Sequence, residues 1–300
     1  MNKLKYIKKV SVVIPVYGQW KLVKRNVDAL LKYDRKNIYE IIIVNDKSPE
    51  ENPYSFDDTV VKIINNDKNI GYTGTVNNGL KKAESDVVIL LDSDAFPIEA
   101  FVEKLLAMYE DSNIGCIGFR TVDEDGNETG SFEQYEPSVI GLILGQQLQL
   151  KLNMIEFWRK RKILPYSCSV SFRKKCLQEL DYFDAQLFPT LEADNDISLR
   201  VHQSKWKLIM TPEITLCHKG GNSYNINYKR VLMYHESRWR LLKKHSKIKA
   251  PALVKELIKT RIKVELLILA FLEIIKYKNM DIGEKIKGRK IILQKVNTFN

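Results

Sequence analysis

Nowhere in its 300 residues does the chain carry an apolar run near the roughly 18–20 residues that cross a bilayer. The longest candidate, LLILAFL at 266–272, is closed off by Glu265 and Glu273, which leaves a soluble or at most peripheral protein as the expectation. Cysteine is scarce. Cys116, Cys168, Cys176 and Cys217 show neither CxxC nor metal-finger spacing, which excludes a disulfide scaffold and a zinc finger and fits a reduced, cytoplasmic setting. The opening stretch MNKLKYIKKVSVVIPVYG is basic and then apolar. Its apolar part is short, is broken by Pro15 and lacks a small-residue cleavage site, so it reads as a first strand rather than a signal peptide. Internal repeats and low-complexity linkers are also missing.

What is present is a well-cored globular composition, 44% hydrophobic, long enough for one large α/β domain with an extension. Net charge is +11, and residues 241–300 hold 15 Lys and Arg against 5 Asp and Glu, so +10 of it lies in the last sixty residues. A basic tail points to an anionic partner, whether membrane surface, nucleic acid or phosphorylated substrate; the plainer reading is a solvated lysine face. VSVVIPV (10–16), EIIIVND (40–46), VVKII (60–64) and DVVILLD (86–92) are short β-branched runs suited to strands buried on both faces. Trp20, Val23, Val27, Leu30 and Leu31 recur at helical spacing between the first two; Leu80 with Ala83, and Phe101 with Leu105 and Met108, mark two more helices. This cadence predicts a mostly parallel sheet flanked by helices, with the ligand beyond the strands' carboxyl ends. Residues 113–135 read as a strand and hairpin turning at DGN, 136–165 as a helical excursion, and the chain from Ile226 onward as basic helices. The domain expectation is therefore 1–225 for the sheet domain and 226–300 for a helical extension.

The fourth strand ends in two like charges, Asp92 and Asp94, with Ser93 between them. On an extended backbone, i and i+2 share a side, so both carboxylates can face one ligand. Their repulsion is relieved by a divalent cation such as Mg²⁺ or Mn²⁺, ions that join carboxylates to substrate phosphates. The alternative is a polar turn in which Asp94 caps a helix. A second acidic cluster, LEADNDISLR at 191–200, places Glu192, Asp194 and Asp196 at the start of a helical run, more acid than a cap requires. His218 closes the strand ITLCH before KGGNS and is a candidate ligand, although a lone histidine is more often structural.

Taken together, SVVIPVYGQW, EIIIVNDKS, NIGYTGTVNNGL, VVILLDSDAFP, IGCIGF with DEDG, FDAQLFPTLEADNDISLRV and ITLCHKGGNS resemble the family 2 glycosyltransferases, in that family's order, over residues 10–225. The resemblance implies a GT-A fold and an inverting, metal-dependent sugar transfer from a nucleotide sugar, UDP- or dTDP-linked, to a glycan, lipid-linked or protein-linked hydroxyl. It implies no nucleic-acid partner. By the same resemblance Pro15 and Tyr17 line the nucleotide pocket, Asp46 meets the base, and Asn69, Gly71, Tyr72 and Asn77 pack against the nucleotide and position the donor. Asp92, Ser93 and Asp94 fall on the DxD motif, with Asp94 on the metal and Asp92 on metal or ribose. His218 completes the metal site, and Asp194 falls on the catalytic base.

The sequence departs from the family's EDxD pattern at one place: Ala193 stands where Glu is expected and an acid appears at Glu192. A loop shifted by one residue would move the base to Glu192. Asp196 is expected to cap the helix. HESRW at 235–239 is similar to the QxxRW signature of processive members, with His235 in place of Gln, and reads as a helix bearing Arg238 and Trp239 near the acceptor end. A non-catalytic module binding a nucleotide or anionic glycan on the same fold, or a sugar nucleotidyltransferase, are the competing functions. The basic C-terminal region, with RIKVELLILAFLEIIK, implies either peripheral docking on an anionic membrane or packing within the protein.

Overall fold

The computed structural model describes residues 9–145, 148, 149, 151, 163–218, 228–275 and 281–300. The chain divides into two compact units, Met1–Gln134 with Ile163–Asn222, and Tyr135–Lys162 with Ser223–Asn300. Residues 135–162 thus group with the C-terminal helices, whereas the sequence reading placed them with the sheet domain. The residues 152–162 of the expected helical excursion and the KGG turn after His218 lie outside the described residues.

The first unit is built on an eight-stranded mixed sheet of order β3-β2-β1-β4-β9-β6-β10-β5. In it β1 is Val10–Val16, β2 Ile38–Asn45, β3 Val61–Asn65, β4 Val87–Leu91, β5 Ala95–Pro97, β6 Ile114–Val122, β9 Ser169–Arg173 and β10 Lys207–His218. A separate two-stranded ribbon pairs β7, Glu133–Tyr135, with β8, Ile163–Pro165. Strands β3, β2, β1 and β4 run parallel, which obliges crossovers; α1 (Trp20–Asp34) and α2 (Tyr72–Lys82) supply them. Every residue of β1 and β4 is buried, so each valine, leucine or isoleucine there contributes roughly 1.5–3 kcal/mol. The other half carries the antiparallel pairs, β9 with both β4 and β6, and β5 with β10.

Helix α1 buries Trp20, Val23, Val27 and Leu30 on its sheet face, as its periodicity predicts. At its end Asp34, almost fully buried, accepts from the backbone N–H groups of Phe101 and Val102. Those are orphan donors at the start of α3 (Val102–Met108), so one helix's last residue caps another's first turn. Helix α2 lies close on the sheet because Gly79 has no side chain: a Cβ there would fall 2.4 Å from Val13 Cγ1 and 2.9 Å from Val44 Cγ2. The expected turn after β6 is present, with the Asp123 carboxylate accepting from the N–H groups of Asp125 and Asn127. Two further helices complete this unit, α5 (Lys174–Glu179) and α6 (Ala193–Gln203).

The second unit contains α4 (Val139–Leu144), α7 (Tyr228–Lys244), α8 (Pro251–Ile274) and α9 (Ile282–Lys295). Leu142, Trp239, Leu242, Ile258, Ile262 and Ile292 form its core. Trp239 of the HESRW stretch is therefore buried there, and the Arg238 guanidinium lies 5.0 Å from the Tyr234 ring centroid. A polar chain ties three of the helices together. His235 Nδ1 lies 2.8 Å from Val231 O, Arg261 donates to His235 Nε2 at 2.9 Å, and Glu265 accepts from Arg261 at 3.0 Å and from Arg289 at 2.9 Å. Because arginine only donates, Nε2 must accept and the proton sits on Nδ1: the imidazole is neutral with both nitrogens in use.

Burial, reinforced by the Arg261 and Arg289 charges against the opposing pull of the Val231 carbonyl and Glu265, pushes the His235 pKa down to about 4. An unfolded histidine binds its proton near 6.5, so this group's contribution is complete above that pH and is lost as pH falls toward about 4. The expected loss by pH 5 is about 2 kcal/mol. Thermal unfolding at pH 7.5 and pH 5 should show a larger drop for the native protein than for His235→Gln. Equal drops would show that His235 contributes nothing to acid sensitivity.

Candidate active site

Strand β4 runs into a turn whose backbone is held from three sides. The Asp92 N–H donates to Cys168 O, and its carbonyl accepts from Ala95 N and from the Asn26 side chain. The chain then reverses into β5, which pairs antiparallel with the end of β10 so that Ala95 stands opposite His218. This register brings a histidine 124 positions away beside the two aspartates. His218 Nε2 lies 3.5 Å from Asp94 Oδ1, and one ligand atom each from Asp92, Asp94 and His218 falls within 4.8 Å of the others.

The electrostatics follow from that crowding. Burial raises the Asp92 pKa to about 6, with Asp94 adding to the rise and the Tyr72 hydroxyl and His218 opposing it. For Asp94 burial also pushes upward, but the hydrogen bond and charge of His218 outweigh it and hold the carboxyl below its ordinary value. Burial pulls His218 down; Asp94 and the Cys168 thiol overcome it and lift the imidazole to about 10. Two carboxylates and an imidazole on one rim form a donor set of oxygen and nitrogen, the kind that suits Mn²⁺ or Mg²⁺. A dication would supply the positive charge Asp94 otherwise takes from His218, leaving His218 free to bind through a neutral nitrogen. The residues present therefore fit a divalent metal.

Around this cluster the other expected residues occupy distinct places. Pro15 is buried at the end of β1, and Tyr17, just beyond it, is exposed. The loops after β1 and β2 are joined where Gly18 N donates to Ser48 Oγ at 2.8 Å, and Ser48 in turn bonds the Asn45 side chain. Ser93 lies 3.3 Å from the Gln19 amide oxygen. Asp46 is buried and accepts from the Asn66 side chain and from the backbone N–H groups of Ile70 and Gly71. It thus holds the loop carrying Asn69, whose side chain also caps Gly71 N. Gly71 has φ +81°, and a Cβ on it would come 3.1 Å from Pro189 O, so this bend needs glycine.

Tyr72, expected against the nucleotide, donates to Asp92 Oδ1 at 2.7 Å and lies 3.1 Å from Ser167 Oγ. Asn77, expected in the same role, exchanges both of its amide bonds with the backbone of Phe183 and so anchors the 183–192 loop on α2. Asp196 is not the helix cap it was expected to be. It is fully buried and paired with Arg200 at 2.8 Å, whose guanidinium also binds the carbonyls of Leu180 and Tyr182.

The 183–192 loop delivers Asp194 into the first turn of α6, after Glu192 at φ +72°. Asp194 is half-buried beside Tyr166, Ser167, Phe183 and Ile197. The same Ser167 bonds Tyr72, which bonds the Asp92 carboxylate, so the surroundings of Asp194 are linked to Asp92 through these two side chains. Asp194 Oδ2 accepts from Gln134 Nε2 at 2.8 Å, and Gln134 Oε1 accepts from Asn195 Nδ2 at 3.1 Å. Asn195 also donates to Glu192 Oε2 at 3.0 Å, and Glu192 is buried. Of the two candidate bases Asp194 is the more accessible: it is half-buried, whereas Glu192 is buried. Gln134 and Ser167 are site residues for which the sequence carries no motif. Asn26 did leave a signal, a buried amide on the apolar stripe of α1.

The profile of "Glycosyl transferase family 2" matches residues 11–179, more than half of the chain. Among curated proteins, the chain is 25% identical over 130 residues to the GalNAc(5)-diNAcBac-PP-undecaprenol beta-1,3-glucosyltransferase of Campylobacter jejuni, covering 41% of this chain and 42% of that one. It is 32% identical over 122 residues to the undecaprenyl-phosphate 4-deoxy-4-formamido-L-arabinose transferase of Proteus mirabilis, covering 37% of this chain and 36% of that one. The matches thus span less than half the length of either relative. Among solved structures, a mannosyltransferase from Pyrobaculum calidifontis in complex with GDP-Man and Mn²⁺ superposes with a TM-score of 0.59 at 12% identity, over 98% of this chain and 83% of that one. At that identity the likeness concerns the fold, which is GT-A.

Proposed function

Since the chain belongs to the family 2 glycosyltransferases, we propose that it transfers a sugar with inversion from a nucleoside-diphosphate sugar, UDP- or dTDP-linked, to a hydroxyl of a lipid-linked glycan acceptor. The observation that carries this reading is the convergence of Asp92, Asp94 and His218 at the sheet's carboxyl rim, linked through Tyr72 and Ser167 to the surroundings of Asp194. The Campylobacter relative, a glucosyltransferase on GalNAc(5)-diNAcBac-PP-undecaprenol, supports the acceptor class, and the Proteus relative, a transferase on undecaprenyl phosphate, supports the polyprenyl carrier.

Asp94 and His218, with Asp92, would hold a Mn²⁺ or Mg²⁺ that supplies positive charge for the departing nucleoside diphosphate. Tyr72 fixes the orientation of Asp92 from behind. Asp194 accepts the proton of the acceptor hydroxyl as that oxygen bonds to the anomeric carbon, and the electron pair of the breaking C–O bond leaves with the diphosphate. Gln134, donating to one Asp194 oxygen, and the Asn195 N–H, donating to the other, set the orientation of that carboxylate.

Release of nucleoside diphosphate from a panel of nucleotide sugars tests the reading. At least one donor should be turned over with Mn²⁺ present, and chelator should suppress turnover by about a hundredfold or more. A panel that binds without turnover would favour a binding module, and chelator-insensitive turnover would remove the metal role.

A further inference from the structure

Helix α8 is apolar on two opposite faces. Val254, Ile258, Ile262 and Leu269 turn into the core of the helical unit. On the other side Leu253 is 59% exposed, Leu267 73%, Phe271 60% and Ile274 78%, with Leu257, Val264 and Ile268 also exposed. A surface helix of a soluble protein ordinarily gives its outer face to charged and polar side chains. Over the last three turns this face holds Val264, Leu267, Ile268, Phe271 and Ile274 and no charge, with Lys263 at its edge.

Among the described residues no helix is long and apolar enough to cross a membrane, so this face is suited to lying along a surface rather than through it. Two occupants match an apolar stripe of this length: a lipid interface and a second copy of the chain. The spacing of Leu253, Leu257, Thr260, Val264, Leu267, Phe271 and Ile274 alternates four and three, which a helix pair could use. Charge decides between them. Residues 241–300 carry a net +10, which two copies would bring against each other and an anionic bilayer would attract. An apolar face within a basic segment is the composition of helices that bury several ångströms into the headgroup region.

We infer that the outward face of α8, centred on Leu267 and Phe271, is a docking surface for an anionic lipid bilayer. The inference does not depend on sugar transfer, because it concerns the helical unit alone and its test contains no nucleotide sugar.

The full-length protein would be sedimented with phosphatidylcholine vesicles, with and without phosphatidylglycerol, at low and high salt. The expected result is at least ~10-fold stronger partitioning onto the anionic vesicles, weakened by salt. L267S/F271S should stay in the supernatant with an unchanged melting temperature, since both side chains are already exposed. A Phe271→Trp variant should blue-shift its fluorescence on anionic vesicles. Absence of sedimentation by the native protein, or equal sedimentation of the serine variant, would overturn the inference. So would a lipid-free dimer, seen by sedimentation velocity and broken by L267S/F271S, which would assign the face to a second copy.

Discussion

Asp194→Asn is expected to lower sugar transfer by about a thousandfold, roughly 4 kcal/mol of barrier, while donor affinity stays within a few-fold of the native value. Asparagine keeps the shape of the carboxylate and can still accept from Gln134, but it cannot take up the acceptor's proton. The side chain is half-buried in the first turn of α6 and contributes no ligand atom to the Asp92, Asp94 and His218 cluster. Donor binding and proton acceptance should therefore separate. Glu192→Gln provides the contrast, because Glu192 is buried and bonded to Asn195. It should change melting temperature more than turnover. Single-turnover transfer and nucleotide titration on both variants make the measurement. A thousandfold loss in Glu192→Gln with near-native turnover in Asp194→Asn would place the base one register earlier, as the Ala193 departure allowed.

Much of this arrangement was legible in the chain, and the reasons are local. Strands β1 and β4 are buried throughout and β2 over residues 40–44, so their sequences are short, mostly apolar runs rich in Val and Ile that no surface helix would carry. Asp92 and Asp94 announce themselves because like charges at the end of such a strand need an explanation. His218 was legible only as a strand-end histidine; the antiparallel pairing of Ala95 with His218 is what puts it beside Asp94.

What stayed hidden is non-local. Gln134 sits in SFEQYEP, a stretch without pattern, and gains its role from the approach of α6 sixty residues later. The hydrogen-bond partners of Tyr72 and Asn77, Asp92 and Phe183, also come from distant segments that no local pattern names. Asp196 is a different kind of miss. Capping and an i,i+4 pair with Arg200 were both readable in DISLR, and burial favours the pair, because a fully buried carboxylate needs a full charge beside it. The segment 135–162 was likewise assigned by sequence adjacency, although its described helix packs with α7 and α8.

Asp94→Ala is expected to remove the divalent dependence of donor binding altogether and to reduce turnover by ~10³-fold or more, since metal neutralisation of a leaving diphosphate is worth several kcal/mol. The structure separates Asp94 from its neighbour in a way that makes this variant the informative one. Asp92 is a fixed part of the scaffold, held through its backbone by Cys168, Asn26 and Ala95 and through its carboxylate by Tyr72. Truncating it would disturb the strand end as well as any ion. Asp94 lies in the turn, its side chain 18% exposed and paired with His218. Its loss should therefore leave the turn standing while removing one carboxylate from the donor set. Thermal shift supplies the readout without a known acceptor: a ligand that binds only the folded state raises the melting temperature in proportion to its affinity. Native protein should gain stability from nucleoside diphosphate only when Mn²⁺ is added, and Asp94→Ala should gain nothing from the metal. His218→Asn should fall between the two, because it leaves both carboxylates in place. A Mn²⁺-dependent shift of native size in Asp94→Ala would show that the metal, if bound, is held elsewhere, and the assignment of this rim as the diphosphate site would fall with it.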